Sequence, residues 1–271
     1  LRGAHIKKGW NAMSESILLQ RDGGIATVTL NAPQRMNALD LNMWRLLKAR
    51  FETLSADDSV RCIILRGAGR QAFSAGADIE EFPRVRGSAE QSRAYSEITQ
   101  AALRAIGECR HPTVALIHGA CVGGGLEMST LCDMRICGAS SRFGVPINRL
   151  GLVVSYEELR GLASLVGKAA TLEILLEGRV FGAEDALRMG LVNRVVADDA
   201  VDEEVAATAR RISHGAPLVA RWHKKFLRRL EDPAPLTDAE RDEAHHCFDT
   251  EDFRIGYRAF LDKTRPAFVG R

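Results

Sequence analysis

Apolar positions along the chain recur in two periods, and each period predicts an element. Ser16 to Gln20 and Ile25 to Leu30 are β-rich runs either side of Arg21-Asp22-Gly23-Gly24, which is a hairpin pattern. After a loop at 31–39, Asp40 precedes Met43, Leu46, Leu47, Phe51 and Leu54, spaced to predict a capped helix with one buried face. Cys62 to Leu65 reads as a buried strand that ends at Arg66-Gly67-Ala68-Gly69, and a helix is expected from about Glu90 to Cys109. Thr113 to Ile117 and Arg135 to Cys137 are further buried strands, and Asn193 to Val196 is a last short one. Lys168 to Glu177 and Ala183 to Met189 read as helices stopped by Gly178 and Gly190. From Asp198 onward strands vanish, and three or four amphipathic helices follow, with breaks at Pro217, Pro233-Ala-Pro235 and Thr250. Alternating strands and helices before that point predict an α/β core with a helical C-terminal region.

The most informative stretch runs from Pro112 to Asp133. A buried strand leads to Gly123, Gly124 and Gly125, and a segment of helical spacing follows. Glycines at such a turn let a ligand approach the backbone, and the first amides of the new helix have no partner within it. Amides left free in this way suit a carbonyl oxygen that becomes an oxyanion, and Glu127 in the first helical turn would stand beside it. The plain alternative is an ordinary turn with a glutamate that complements the helix dipole. The loop Phe73-Ser-Ala-Gly-Ala-Asp78 has small residues at Ala75, Gly76 and Ala77, which makes it either a second source of oxyanion-binding amides or a simple small-residue turn.

Composition narrows the function classes. The 271 residues are 46% hydrophobic, ample for a core, and 37 Lys and Arg stand against 35 Asp and Glu. A net charge of +2 gives no general attraction to nucleic acid or membranes. The basic run Arg221, His223, Lys224, Lys225, Arg228 and Arg229 is expected to be a solvated helix face rather than a phosphate site. Six scattered cysteines without CxxC spacing read as buried thiols in a reducing compartment, and no metal site is expected. No apolar run approaches the roughly 20 residues of a membrane span, so a cytoplasmic protein is expected. Residues 1–12 lack periodicity and precede Met13, and we read them as a leader outside the fold. His118 and Asp133 are expected to be structural, through hydrogen bonding and an internal ion pair respectively.

Taken in order, NAPQRMNAL at 31–39, FSAGADIEEF at 73–82, HGACVGGGLEMSTLCDMRI at 118–136, RFGVPINRLGL at 142–152 and GAEDALRMGLVNRVV at 182–196 resemble the crotonase, or enoyl-CoA hydratase/isomerase, superfamily. The resemblance covers nearly everything from Ser16 to Phe268. It implies an α/β spiral of ββα repeats over 13–197 and a C-terminal helical region over 198–271 that builds a homotrimer or a dimer of trimers. It also implies an acyl-CoA substrate, with coenzyme A arriving as part of that substrate and no separate cofactor. By the same resemblance, the amides of Ala75 and Gly124 hold the thioester oxygen and Glu127 is a catalytic acid/base. Gln34, Arg35, Met36, Ala75, Gly76, Ala77, Asp78, Ile79, Gly123, Gly124 and Ile147 are the substrate-binding positions it implies.

One position departs from the family pattern. Phe143-Gly144-Val145-Pro146 is followed by Ile147, where the family carries its second catalytic glutamate, and the glycine run that normally follows is replaced by Val154-Ser155-Tyr156-Glu157-Glu158-Leu159. Isoleucine moves no proton. Glu127 alone would then serve an isomerase, decarboxylase, thioester hydrolase or slow hydratase. Otherwise Tyr156, Glu157, Glu158, Asn148 or Arg149 replaces the partner, or the protein binds acyl-CoA without turning it over.

Overall fold

The computed structural model describes residues 15–271, so the expected leader at 1–12 and start at Met13 lie outside the described residues. The elements of the first half are β1 (Ile17–Asp22), β2 (Ile25–Leu30), α1 (Leu41–Ala56), β3 (Cys62–Gly67), β4 (Ala72–Ser74), α2 (Phe82–Val85) and α3 (Ala89–Gly107). Next come β5 (Thr113–Ile117), β6 (Ala120–Val122), α4 (Gly124–Thr130), β7 (Met134–Gly138) and β8 (Arg142–Gly144). The chain closes with α5 (Tyr156–Glu177), β9 (Phe181–Gly182), α6 (Ala183–Arg188), β10 (Arg194–Val196), α7 (Val201–Ser213), α8 (Pro217–Arg229), α9 (Asp238–Glu243) and α10 (Glu251–Leu261).

Two sheets result. The larger has the order β1-β2-β3-β5-β7-β10, antiparallel at the β1–β2 hairpin and parallel elsewhere. The smaller has the order β4-β6-β8-β9 and was not foreseen as a sheet. Its strands have two or three residues each, too few for a side-chain period to register. β4, β6 and β8 follow β3, β5 and β7 of the larger sheet after a short bend, so the chain repeats strand, short strand, helix, while β9 follows α5. Accordingly the predicted passage from β5 straight into the glycine turn is interrupted by β6.

The main core packs one face of α1 (Met43, Trp44, Leu47, Phe51 and Leu54) against Val28, Leu30, Ile63 and Leu65 of the larger sheet. Asp40 caps α1 by accepting from the Met43 amide at 2.8 Å. Strand residues with the opposite parity, Cys62, Ile64, Val114, Leu116 and Ile136, meet Val201, Val205 and Ala209 of α7 on the other face. The first helix after Asp198 therefore covers the sheet directly. Helix α5 begins twelve residues before the expected Lys168, because Ser155 and Glu158 form a capping box, and it kinks at Gly167 with φ 73°.

The basic run on α8 is largely tied into the protein. Arg221 pairs with Asp58, Lys224 with Asp133 at 2.7 Å, Lys225 with Glu243, and Arg229 with Glu240. Asp133 also accepts from the Thr113 amide and hydroxyl, and His118 bonds Asp202 at 2.9 Å, both as structural residues. Five cysteines are buried and unpaired, and Cys247 is half-buried. Among the described residues, no helix is long and apolar enough to cross a membrane.

Candidate functional site

Two bends, each at the end of a short strand of the smaller sheet, meet at one pocket. The first follows β4. Ser74 Oγ donates to the Asn37 carbonyl (2.8 Å) and accepts from the Gly76 amide (3.0 Å), which closes the bend. Asn37 is buried and holds the 31–39 loop in place, accepting from the Ala32 amide and donating to the Ala68 and Ala72 carbonyls. The NAPQRMNAL motif is thus a scaffold for the bend. Leu39 then bridges Ala77 in parallel, donating to Gly76 O and accepting from Asp78 N.

That bridge determines which amides are free. The Ala75 amide, expected to bind an oxyanion, instead donates to the Met36 carbonyl at 2.9 Å. The Asp78 amide is held by Leu39 and the Gly76 amide by Ser74, whereas the Ala77 amide has no acceptor among the described residues. Of the two alanines, it is therefore Ala77 rather than Ala75 whose amide is free to meet a ligand oxygen. Only the hydrogen bonds distinguish one small residue of this loop from the next.

The second bend follows β6. Gly123 donates to Gly144 O and adopts φ 52°, after which α4 starts at Gly124, whose amide has no acceptor among the described residues. The bends approach so closely that glycine is required at the contact. A Cβ on Gly76 would stand 2.7 Å from the Gly124 nitrogen, and one on Gly125 would stand 2.3 Å from Ser74 O. The two free amides are therefore neighbours, one from each bend.

The pocket between them has a volume of about 130 Å³ and is lined by Ala75, Ala77, Ile79, Gly123, Gly124, Glu127 and Ile147 among the expected positions. Gln34, Arg35, Met36, Gly76 and Asp78 do not line it. Arg35 joins Asp40 and Asp78 at 2.6 Å each and pins the 31–39 loop to the first bend. Of the groups considered for the missing carboxylate, only Glu158 lines the pocket. Tyr156 is 89% exposed, Glu157 faces Gln100, and Asn148 bonds Leu176 O. Glu158 is held by its capping box, with one carboxylate oxygen accepting from the Ser155 amide at 2.8 Å. Ile147 occupies its place as a half-buried apolar wall packed on the core.

Trp44, Phe82, Arg86, Tyr95, Thr99 and Leu103 also line the pocket and were not foreseen. Phe82 closes the FSAGADIEEF motif and Arg86 follows α2, whereas Trp44, Tyr95, Thr99 and Leu103 read in sequence as ordinary residues of α1 and α3. Glu127 makes no side-chain hydrogen bond among the described residues. Burial, and then the nearby Glu158 carboxylate, push its pKa up to about 8, while Arg86 pulls the other way. Glu127 is half-buried by its exposure, and at neutral pH the shifted value keeps it mainly as the carboxylic acid.

Paired free amides beside a half-buried carboxylic acid, carried on strand–short strand–helix repeats, define an α/β protein equipped for proton transfer next to an oxygen that gains charge. The chain belongs to the enoyl-CoA hydratase/isomerase family, whose model (described as Enoyl-CoA hydratase/isomerase) matches residues 20–271. It is 35% identical over 260 residues to a Mycobacterium bovis protein named "Probable enoyl-CoA hydratase", covering 95% of this chain and 99% of that one. It is 31% identical to the "Crotonyl-CoA hydratase" of Syntrophomonas wolfei, again over 95% and 99%. A crystal structure described as an enoyl-CoA hydratase/carnithine racemase from Magnetospirillum magneticum superposes with a TM-score of 0.94 at 53% identity, covering 95% of this chain and 96% of that one.

Proposed function

We propose that the protein adds water across the α,β double bond of a short enoyl-CoA, with the amides of Ala77 and Gly124 as the oxyanion hole and Glu127 and Glu158 as the acid/base pair. The observation that carries this reading is the pair of unpartnered amides, one from each bend, beside Glu127. Hydrogen bonds from both amides to the thioester oxygen stabilise the enolate that forms when carbon β is attacked, and such a donor is typically worth about 3 to 4 kcal/mol. Glu158, fixed by its cap, takes a proton from the attacking water. Glu127, protonated at neutral pH, then delivers its own proton to carbon α. The elements of one water are added, and solvent exchange returns both carboxyl groups to their starting states.

Relatives support the same reading, since proteins named crotonyl-CoA hydratase and probable enoyl-CoA hydratase align over nearly the whole chain. Ile147 favours a second reading, in which Glu127 alone shuttles a proton between carbons of a β,γ-enoyl-CoA. Turnover of crotonyl-CoA and of a β,γ-enoyl-CoA by wild type, Glu127→Gln and Glu158→Gln separates the two. The hydratase reading expects losses of about 10²- to 10⁴-fold in both variants on crotonyl-CoA. Isomerase activity that survives Glu158→Gln but not Glu127→Gln selects the second reading. Tight acyl-CoA binding without turnover of either substrate leaves a binding protein.

In the same reading, helices of the 198–271 region assemble a homotrimer or a dimer of trimers. Phe260 (83% exposed), Leu261 and Leu230 are large apolar side chains left uncovered there, which supports an interface.

A further inference from the structure

One wall of the pocket presents more hydrogen-bond donors than acceptors. Trp44 is 2% exposed and Tyr95 5% exposed; the Trp44 indole N–H lies near the Tyr95 oxygen, and neither group has any other partner among the described residues. With the indole N–H directed at the phenol oxygen, the buried Tyr95 O–H is left without an acceptor, a costly state that a ligand oxygen would relieve.

The third donor is Arg86, whose guanidinium carbon lies 4.9 Å from the centroids of both the Phe82 and the Tyr95 rings. Neighbouring arginines are neutralised, Arg84 by Glu81 and Arg35 by Asp40 and Asp78. Among the described residues Arg86 has no such carboxylate within ion-pairing distance and its side chain donates no hydrogen bond. Its contacts with the chain are with aromatic rings, which attract its charge but accept none of its five N–H groups in the fork geometry that suits a carboxylate.

The wall stands close to the oxyanion site. Trp44 Cζ2 is 3.5 Å from where a Cβ on Gly124 would lie. An acyl chain whose thioester oxygen sits on Ala77 and Gly124 would therefore reach these donors after only a few carbons, in keeping with the small cavity.

We infer that the acyl group carries a second carboxylate, held at its far end by Arg86 together with the Tyr95 hydroxyl, so that the substrates are short dicarboxylic mono-CoA thioesters. A hydroxyl or ketone would satisfy one neutral donor and leave the cation unmatched, whereas a carboxylate offers acceptors on both oxygens and the opposite charge. This inference rests on the acyl-CoA reading above.

Calorimetric binding of saturated CoA esters tests it without requiring turnover. Succinyl-CoA and glutaryl-CoA are compared with butyryl-CoA and pentanoyl-CoA, which match them in chain length. At least one dicarboxylic ester is expected to bind about tenfold or more tightly than its neutral counterpart. Arg86→Gln is expected to erase that preference while changing the affinity for the neutral esters little, and Tyr95→Phe is expected to reduce it a few-fold. Equal or weaker binding of both dicarboxylic esters, with butyryl-CoA bound normally, overturns the inference and leaves the acyl-CoA reading intact. If no CoA ester binds, the acyl-CoA reading itself fails and this inference falls with it. A preference that persists in Arg86→Gln also overturns it, because the selectivity then comes from elsewhere.

Discussion

At the scale of single residues, the functional weight falls on positions whose side chains are absent or unpaired. Gly124 separates folding from function. A methyl group there meets its nearest atoms at 3.5 Å, which is ordinary contact, yet it stands 3.6 Å from the Ala77 nitrogen, within the space the thioester oxygen needs. Gly124→Ala is expected to keep its melting temperature within a few degrees and lose about 10²-fold or more in kcat/KM, checked by calorimetry alongside kinetics. Gly125→Ala, by contrast, would press into Ser74 O and is expected to lower stability as well. Glu127 is the site's main electrostatic liability. Its pKa, pushed up to about 8 by burial and Glu158, lies above its unfolded value, so it favours the folded state at low pH and loses that advantage as pH rises through 8. Glu127→Gln should therefore melt above wild type at pH 9 by an amount on the order of a few kcal/mol, with the gap closing toward pH 5. A gap that grows toward pH 5 would contradict the assignment. Catalysis by the protonated form should also fall above about pH 8 in a kcat/KM profile, lost with the proton of the Glu127–Glu158 pair. The sequence pointed to Glu127, Gly124 and the small-residue loop, which line one pocket, but composition does not reveal which of three small residues has its amide already bonded, as that of Ala75 is.

Among elements, those with a long period were legible and those without were not. The β1–β2 hairpin, α1, β3, α3 and β5 were read within a few residues of their observed limits, since each carries an unbroken apolar run, a clear turn or a helical period with a cap. The smaller sheet was invisible, because strands of two or three residues cannot display alternation. Yet β4 and β6 are what bring the two bends together. The pocket wall from α1, α2 and α3 was hidden for a different reason, since Trp44, Arg86 and Tyr95 are near in space and far apart in sequence. The docking of α8 illustrates a cost that no local pattern displays. His111 just before β5 is fully buried, neither ring nitrogen has a partner among the described residues, and Lys224 of α8 donates to its carbonyl at 2.7 Å. Burial, then Arg221 and Arg110, lower its pKa to about 4. A histidine whose folded pKa lies below its unfolded value contributes fully above about pH 6.5 and loses that contribution as pH falls toward 4. Between pH 7 and pH 5 His111 therefore pulls the melting temperature down against the opposite pull of Glu127, and His111→Phe is expected to end higher relative to wild type at pH 5 than at pH 7. An identical pH dependence in the two proteins would remove His111 from this role.

For the molecule as a whole, the fold brings distant bends to a common point and leaves apolar surface at the C-terminal helices. Sedimentation or light scattering is expected to return three or six times the chain mass, and Phe260→Asp to shift the population toward monomer. A wild-type monomer at micromolar concentration would contradict the proposed assembly. The resemblance supplied this expectation, whereas the helix pattern alone supplied only the change of element type near Asp198. The central claim is that amides from both bends converge on one thioester oxygen, and vibrational difference spectroscopy of bound crotonyl-CoA labelled with ¹³C at the thioester carbonyl reads it directly. The account predicts a carbonyl stretch shifted to lower frequency on binding, with the shift diminished in Gly124→Ala. A ligand that is bound but shows an unshifted carbonyl in the wild-type protein would contradict it.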